Sequence, residues 1–190
     1  MSRFKKYSTI VILASLLLYF GFKYFDYFYY SSFKGNDKIK FVHLDTTGLQ
    51  TYGDLFKLPL FKNKVTFVNV SFYADNVDHK QDLPYFKLLY EKFHDRPFQI
   101  LYTNSEFDDS WREAKHKKIL KNNEAWGLHA KVPEDIRSSM VIKSVDSNQH
   151  IMWTYPKYLL VDKYGNIDTF APRPSKFDLL TKRVEELLTR

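Results

Sequence analysis

Asp75, Asp78, His79 and Asp82 form a polar cluster just ahead of a segment with helical apolar spacing. An imidazole titrates near neutral pH, so His79 with Asp75 or Asp78 to orient it could act as a general base. The same groups could instead ligate a divalent metal. A plainer account also fits, in which Asp75 or Asp78 caps the helix and the carboxylates complement its positive end. Capping explains the acidic residues with no further assumption, and no local ligand spacing such as H-E-x-x-H accompanies them. His43, His94, His116, His129 and His150 fall at no ligand-like interval and are expected mostly at the surface. His129 is the one that the fold could bring back toward this loop. The chain has no cysteine at all. That removes disulfides, thiolate catalysis, thiolate-ligated zinc and iron–sulfur clusters.

Lys115, His116, Lys117, Lys118 and Lys121 give a second helix, Trp111–Asn122, one strongly basic face. A solvated face is the default reading, and an acidic partner or an anionic membrane surface is the functional one. Nucleic acid does not fit. The net charge of +7 sits mostly in the first forty residues, which hold seven Lys/Arg against two Asp/Glu, whereas residues 41–190 hold 22 against 20. Without a concentrated positive surface on the main domain, phosphate-backbone binding has no electrostatic footprint.

The elements that position these residues follow from periodicity. Lys64-Val-Thr-Phe-Val-Asn-Val-Ser-Phe72 carries β-branched and aromatic residues on both alternating faces, which predicts a central strand covered on both sides. Leu83, Phe86, Leu89, Tyr90 and Phe93 recur at helical spacing after it. Pro97–Tyr102 is a second parallel strand candidate, and Ile39–Leu44 a short one. Lys157–Asp162, the turn Lys163-Tyr-Gly-Asn166 and Ile167–Phe170 read as a hairpin. A last helix is expected after Ala171-Pro-Arg-Pro-Ser175, with Ser175 as its N-cap and Phe177, Leu180, Val184 and Leu187 on one face. Residues 126–153 have mixed signals and read as irregular with one short helix. The aromatics Phe41, Tyr73, Tyr85, Tyr90, Phe98, Trp111 and Trp153 are assigned mostly to the core, and Tyr73 and Trp153 are also candidates to flank a binding groove. With 190 residues and 44% hydrophobic content, the chain has enough apolar material for one domain of about 150 residues plus an appendage.

The appendage is N-terminal. Arg3, Lys5 and Lys6 precede Tyr7–Phe22, sixteen residues without a charge. As a helix they span about 24 Å at 1.5 Å per residue, and Lys23 with the aromatics at 24–30 extends this to bilayer length by snorkelling and interfacial seating. A cleaved signal peptide would end in small residues at an A-x-A-like site, but this run ends Phe20-Gly-Phe-Lys-Tyr-Phe25. The expected organisation is a basic cytoplasmic start at 1–6, a signal-anchor helix at 7–30, a tether at 31–38 and an α/β domain at 39–190. The basic start places the domain outside the cytoplasm.

The order strand, helix, strand, helix, strand, strand, helix resembles the thioredoxin fold, most closely the membrane-tethered or secreted proteins of the TlpA/redoxin group. The resemblance covers about residues 45–190. It is carried by Lys64–Ala74, Lys80-Gln-Asp-Leu-Pro84, Trp126-Gly-Leu-His129, Tyr155-Pro156-Lys-Tyr-Leu-Leu-Val-Asp-Lys-Tyr-Gly165 and Ala171–Ser175. It implies a thioredoxin-like α/β/α sandwich with a mixed sheet. It also implies that Pro156 matches the family's proline before the hairpin, usually cis, which leaves the Tyr155 backbone available to an extended peptide.

The departure falls where that family does its chemistry. The positions matching its two cysteines are Asn76 and His79, and its preceding tryptophan becomes Asp75. Neither an amide nor an imidazole can cycle between dithiol and disulfide. The expectation is therefore a redox-inactive, membrane-anchored thioredoxin-like module, with no cofactor, that binds a protein or peptide. Its groove would be framed by Tyr73, Asp75, Asn76, Asp78, His79, Trp153, Tyr155 and Pro156, on the periplasmic side of a bacterial inner membrane. The alternatives are a non-thiol enzyme using His79 with Asp75 or Asp78, and an accessory subunit of a thiol–disulfide system.

Overall fold

Every residue of β2, Val65–Asn69, is buried. This is the consequence of putting apolar side chains on both faces of one strand. A computed structural model describes the backbone of residues 3–70, 77–104, 110–140, 142–145, 151–154, 158–168 and 171–190. Side chains are described for 10–70, 81–104, 110–140, 158–168 and 171–190. Around β2 runs a six-stranded mixed sheet in the order β1-β4-β3-β2-β7-β8. β1 is Ile39–Val42, β3 Phe98–Asn104, β4 Gly127–Lys131, β7 Tyr158–Val161 and β8 Ile167–Asp168. β1, β4, β3 and β2 run parallel to one another, β7 runs antiparallel to β2, and β8 antiparallel to β7. The expected parallel crossover followed by an antiparallel hairpin is what forms.

Each face of the sheet has its own core. On one, Phe67, Ile100 and Leu160 meet Phe86 and Leu89 of α2 (Val77–Phe93) and Leu180 and Val184 of α5 (Phe177–Thr189). On the other, Val68, Leu101 and Leu159 meet Leu55 and Phe56 of a 3-10 helix, Tyr52–Lys57, and Ile136 of the short α4, Glu134–Ser138. Phe67 is fully buried and contacts the rings of Phe86 and Tyr158. Truncating it to alanine would cost about 3–5 kcal/mol through lost transfer energy and the cavity left behind. The hairpin turn is held by the Asp162 carboxylate, which accepts from the Tyr164 and Asn166 amides at 2.9 Å each, while Gly165 takes a positive φ of 89°.

Three expectations need correction. Residues 126–153 are not irregular: they contain β4, α4, β5 (Ile142–Val145) and most of β6 (Ile151–Thr154), the last two forming a separate antiparallel pair. These short segments lack a periodic signal and are ordered by partners distant in sequence. β4 also depends on Gly127, whose φ is 143° and where a Cβ would lie 2.7 Å from the Ile100 carbonyl oxygen. Lys176, and not Ser175, occupies the N-cap position of the last helix, without a side-chain capping bond, because a turn from Lys176 N–H to the Arg173 carbonyl, 2.9 Å, precedes the first helical bond. Phe41 and Trp111 are not core residues. They are 36% and 46% exposed, Phe41 because β1 is an edge strand.

The chain divides into two compact units, and the first combines the N-terminal helix with the first part of α3, Ser110–Asn122. α1 runs from Arg3 to Ser31, and Ile10–Ser31 is long and apolar enough to cross a membrane. Its apolar side chains face outward, Leu17 being 74% exposed. A contiguous exposed surface of this kind is unfavourable in water and favourable in hydrocarbon. The second unit holds the six-stranded sheet, α2 and α5.

Candidate functional site

Parallel strands bring their C-terminal ends to one edge of the sheet, where open α/β proteins place ligands. Here that edge is built on one row of directly paired residues. Phe41 pairs with His129, His129 with Tyr102, Tyr102 with Asn69, and Asn69 with Tyr158. Paired residues share a face, so five side chains from five strands lie side by side. The segment 71–76, which holds Tyr73, Asp75 and Asn76, begins two residues beyond Asn69.

The row is mostly aromatic with polar atoms set into it. The Tyr102 and His129 rings stack at 4.5 Å, only 3° from parallel, and Phe41 contacts the imidazole at 5.7 Å. His129 Nε2 lies 2.8 Å from the Ala125 carbonyl oxygen, which can only accept, so this nitrogen carries the hydrogen. Phe86 of α2 touches Tyr102 and Tyr158 at 5.1 and 5.8 Å. The Tyr158 hydroxyl donates to the Asp82 carboxylate, itself 7% exposed. Burial pushes the Tyr102 phenol well above its ordinary pKa, so it stays neutral.

Asn69 stands between Tyr102 and Tyr158 in this row. It is fully buried, and neither amide atom makes a hydrogen bond with any described residue. A buried amide group without a partner costs about 1–3 kcal/mol. The backbone of the same residue is held from the other face. The Tyr52 hydroxyl donates to Thr103 Oγ1 at 2.7 Å, and Thr103 donates to the Asn69 carbonyl at 3.4 Å.

The sequence-derived candidates divide into two groups. Tyr73, Asp75, Asn76, Tyr155 and Pro156 lie outside the described residues. Asp78 and His79 are in the helical backbone at the start of the described part of α2, four and three residues before Asp82. Trp153 is on β6, paired with Lys143 of β5. The side chains of these three are outside the described set. His129 lies in the same row as Asn69, two strands away, which at the usual strand spacing is about 10 Å. The expectation that the histidines are surface residues fails for His116 and His129, which are 6% and 5% exposed. Sequence reasoning passed over Asn69 and Tyr158. The legible signal for the former was an amide inside an otherwise apolar central strand.

No family model and no curated protein matches the sequence. Among solved structures, the chain is similar to the thioredoxin domain of a thiol-disulfide oxidoreductase from Bacteroides vulgatus, at 22% identity over 69% of this chain and 84% of that one, with a TM-score of 0.49. It is also similar to a thiol:disulfide interchange protein from Bacteroides sp., at 20% identity over 70% and 78% of the two chains, with a TM-score of 0.48. The chain's own topology carries the assignment: a β2–α2–β3 parallel crossover, an antiparallel hairpin laid on the other side of β2, and a C-terminal helix packed back on the sheet. This is a thioredoxin-like fold, in a chain without a single cysteine.

Proposed function

We propose that this protein is a membrane-anchored, redox-inactive thioredoxin-like module that holds a protein or peptide partner outside the cytoplasm. The observation that carries the reading is the retention of the thioredoxin-like sheet and α2 in a chain with no cysteine to do that fold's usual chemistry. Dithiol–disulfide exchange needs a thiolate to attack and a second sulfur to resolve the mixed disulfide. A groove between Asp75–His79 and Tyr155–Pro156, flanked by Tyr73 and Trp153, keeps the binding half of that design, in which an extended peptide pairs with free backbone groups. The buried amide of Asn69, six residues before Asp75, supports a polar recognition surface there. α1 supplies the anchor, and the basic residues before it favour export of the domain.

The test has two arms on the full chain in detergent. Insulin reduction should show no turnover above background. Clear turnover by the metal-free protein would overturn the redox-inactive reading. Affinity purification after cross-linking should retain a defined protein in stoichiometric amount, lost on Tyr73→Ala with Tyr155→Ala. A stoichiometric metal that disappears in His79→Ala would instead favour the non-thiol enzyme, and retention of a cysteine-bearing oxidoreductase alone would favour the accessory-subunit role.

A further inference from the structure

Trp111 is expected in the core yet is 46% exposed, and its surroundings give the reason. It stands at the start of α3 and, within the first compact unit, lies against α1. Its indole is 4.2 Å from the Tyr27 ring and 5.7 Å, edge to face, from the Tyr24 ring. The Tyr27 hydroxyl donates to Ser110 Oγ at 3.0 Å, which ties the neighbouring residue to the same turn of α1. Tyr24 and Tyr27 are three residues apart and share one helical face, so these contacts fix the height of Trp111 along α1.

That height decides what the exposed ring meets. A hydrocarbon core of about 30 Å takes about 20 helical residues at 1.5 Å each. Counted from Tyr7, the first residue after the basic start, that length ends at Asp26. Lys23 and Asp26 are the first charges after Lys6 and mark the same boundary. Tyr24 and Tyr27 therefore bracket the passage from hydrocarbon to headgroups, and Trp111, in contact with both, stands at that level. Tyr24, Phe25 and Phe28 are exposed there too, so the indole continues the outward-facing apolar surface of α1. Indole and phenol suit this layer because each has a flat apolar body and one polar N–H or O–H to leave in water.

We propose that Trp111 seats in the interfacial layer of the bilayer, so that the start of α3 makes a second membrane contact beside α1. The partner is the lipid at the level of its glycerol and carbonyl groups, recognised through apolar area and the indole N–H, with no demand on headgroup charge. Continuity with the apolar surface of α1, at the end of its span, favours lipid over a second protein chain. An aromatic anchor on one side of α1 restricts the tilt and rotation of that helix. The proposal rests on α1 crossing a bilayer and is independent of what the thioredoxin-like groove binds.

The full chain is reconstituted in phosphatidylcholine nanodiscs, which leave both membrane faces open to solutes. Trp126→Phe with Trp153→Phe leaves Trp111 as the sole tryptophan. Its emission should be blue-shifted and should lose most of its intensity to lipid bearing a nitroxide high on the acyl chain. It should lose less to a nitroxide near the chain end, and little to acrylamide in the water. If circular dichroism shows that the double variant does not fold, the difference between the wild type and Trp111→Phe, a change at an exposed position, gives the same reading. Quenching by acrylamide and not by lipid would put the ring in water and overturn the proposal. Resistance to both quenchers would mark a second copy or another protein on the ring, and would also overturn it. So would stronger quenching by the deep label than by the shallow one. Carbonate extraction separates this proposal from the anchor: protein that stays with the membrane without lipid quenching removes the Trp111 contact alone, whereas release by carbonate removes both.

Discussion

The imidazole of His129 and the phenol ring of Tyr102 lie 4.5 Å apart and 3° from parallel, on adjacent parallel strands, in one row with Asn69. With Nε2 bound to the Ala125 carbonyl and the ring face covered, this histidine is a wall of the site. His129→Ala should destabilise the protein by about 2–3 kcal/mol, from the stack, the hydrogen bond and the cavity. His129→Phe restores a ring without the donor and should recover about half. Urea denaturation followed by circular dichroism measures both. A loss below 0.5 kcal/mol, roughly the error of such measurements, would remove the structural role.

Buried phenols make a prediction about alkaline pH. Burial raises the pKa of Tyr102 and of Tyr52 above the ordinary value, the latter although its bond to Thr103 works in the opposite direction. Above about pH 10 the unfolded chain releases these protons while the native state keeps them, so stability is complete below that pH and falls as pH rises past it. Denaturation midpoints taken from pH 8 to 11 should decline beyond 10. Tyr102→Phe, which cannot ionise, should flatten the decline.

Asn69 offers a sharper contrast between stability and function. Its amide is buried without a hydrogen bond to any described residue, so Asn69→Leu, close in shape, should raise stability by about 1–2 kcal/mol. If the amide serves the binding groove, the same variant should lose its captured partner. Thermal unfolding and affinity purification of one preparation read the two effects, and a destabilised variant would show that the amide has a partner outside the described residues.

Tyr158 and Asp82 couple the hairpin to α2 through a hydrogen bond to a nearly buried carboxylate. Tyr158→Phe should cost about 1.5–3 kcal/mol, the range for bonds to charged groups. Asp82→Asn in the same chain should recover part of it, since a neutral amide tolerates the lost donor better. A double-mutant cycle by urea denaturation should therefore be non-additive, and strict additivity would mean the two side chains do not act together.

Much of this architecture is written locally. The two-sided apolar run at Val65–Asn69 requires a central strand, and the spacing of Leu83, Phe86, Leu89 and Phe93 requires a helix buried on one face. Asp162 and Gly165 require the hairpin turn, and the uncharged stretch before Lys23 gives a helix long and apolar enough to cross a membrane. The missing cysteines exclude a chemistry outright. Periodicity, turn geometry and composition act between near neighbours, so a linear reading finds them. Tertiary structure decided what depends on distant pairing. Only the sheet order sets Asn69 between Tyr102 and Tyr158 and brings His129, sixty residues away, into the same row. Only the packing of α3 on α1 sets Trp111 against Tyr24 and Tyr27. The strands in 127–154 escaped detection for the same reason: they are too short to show a period, and partners far along the chain hold them in place.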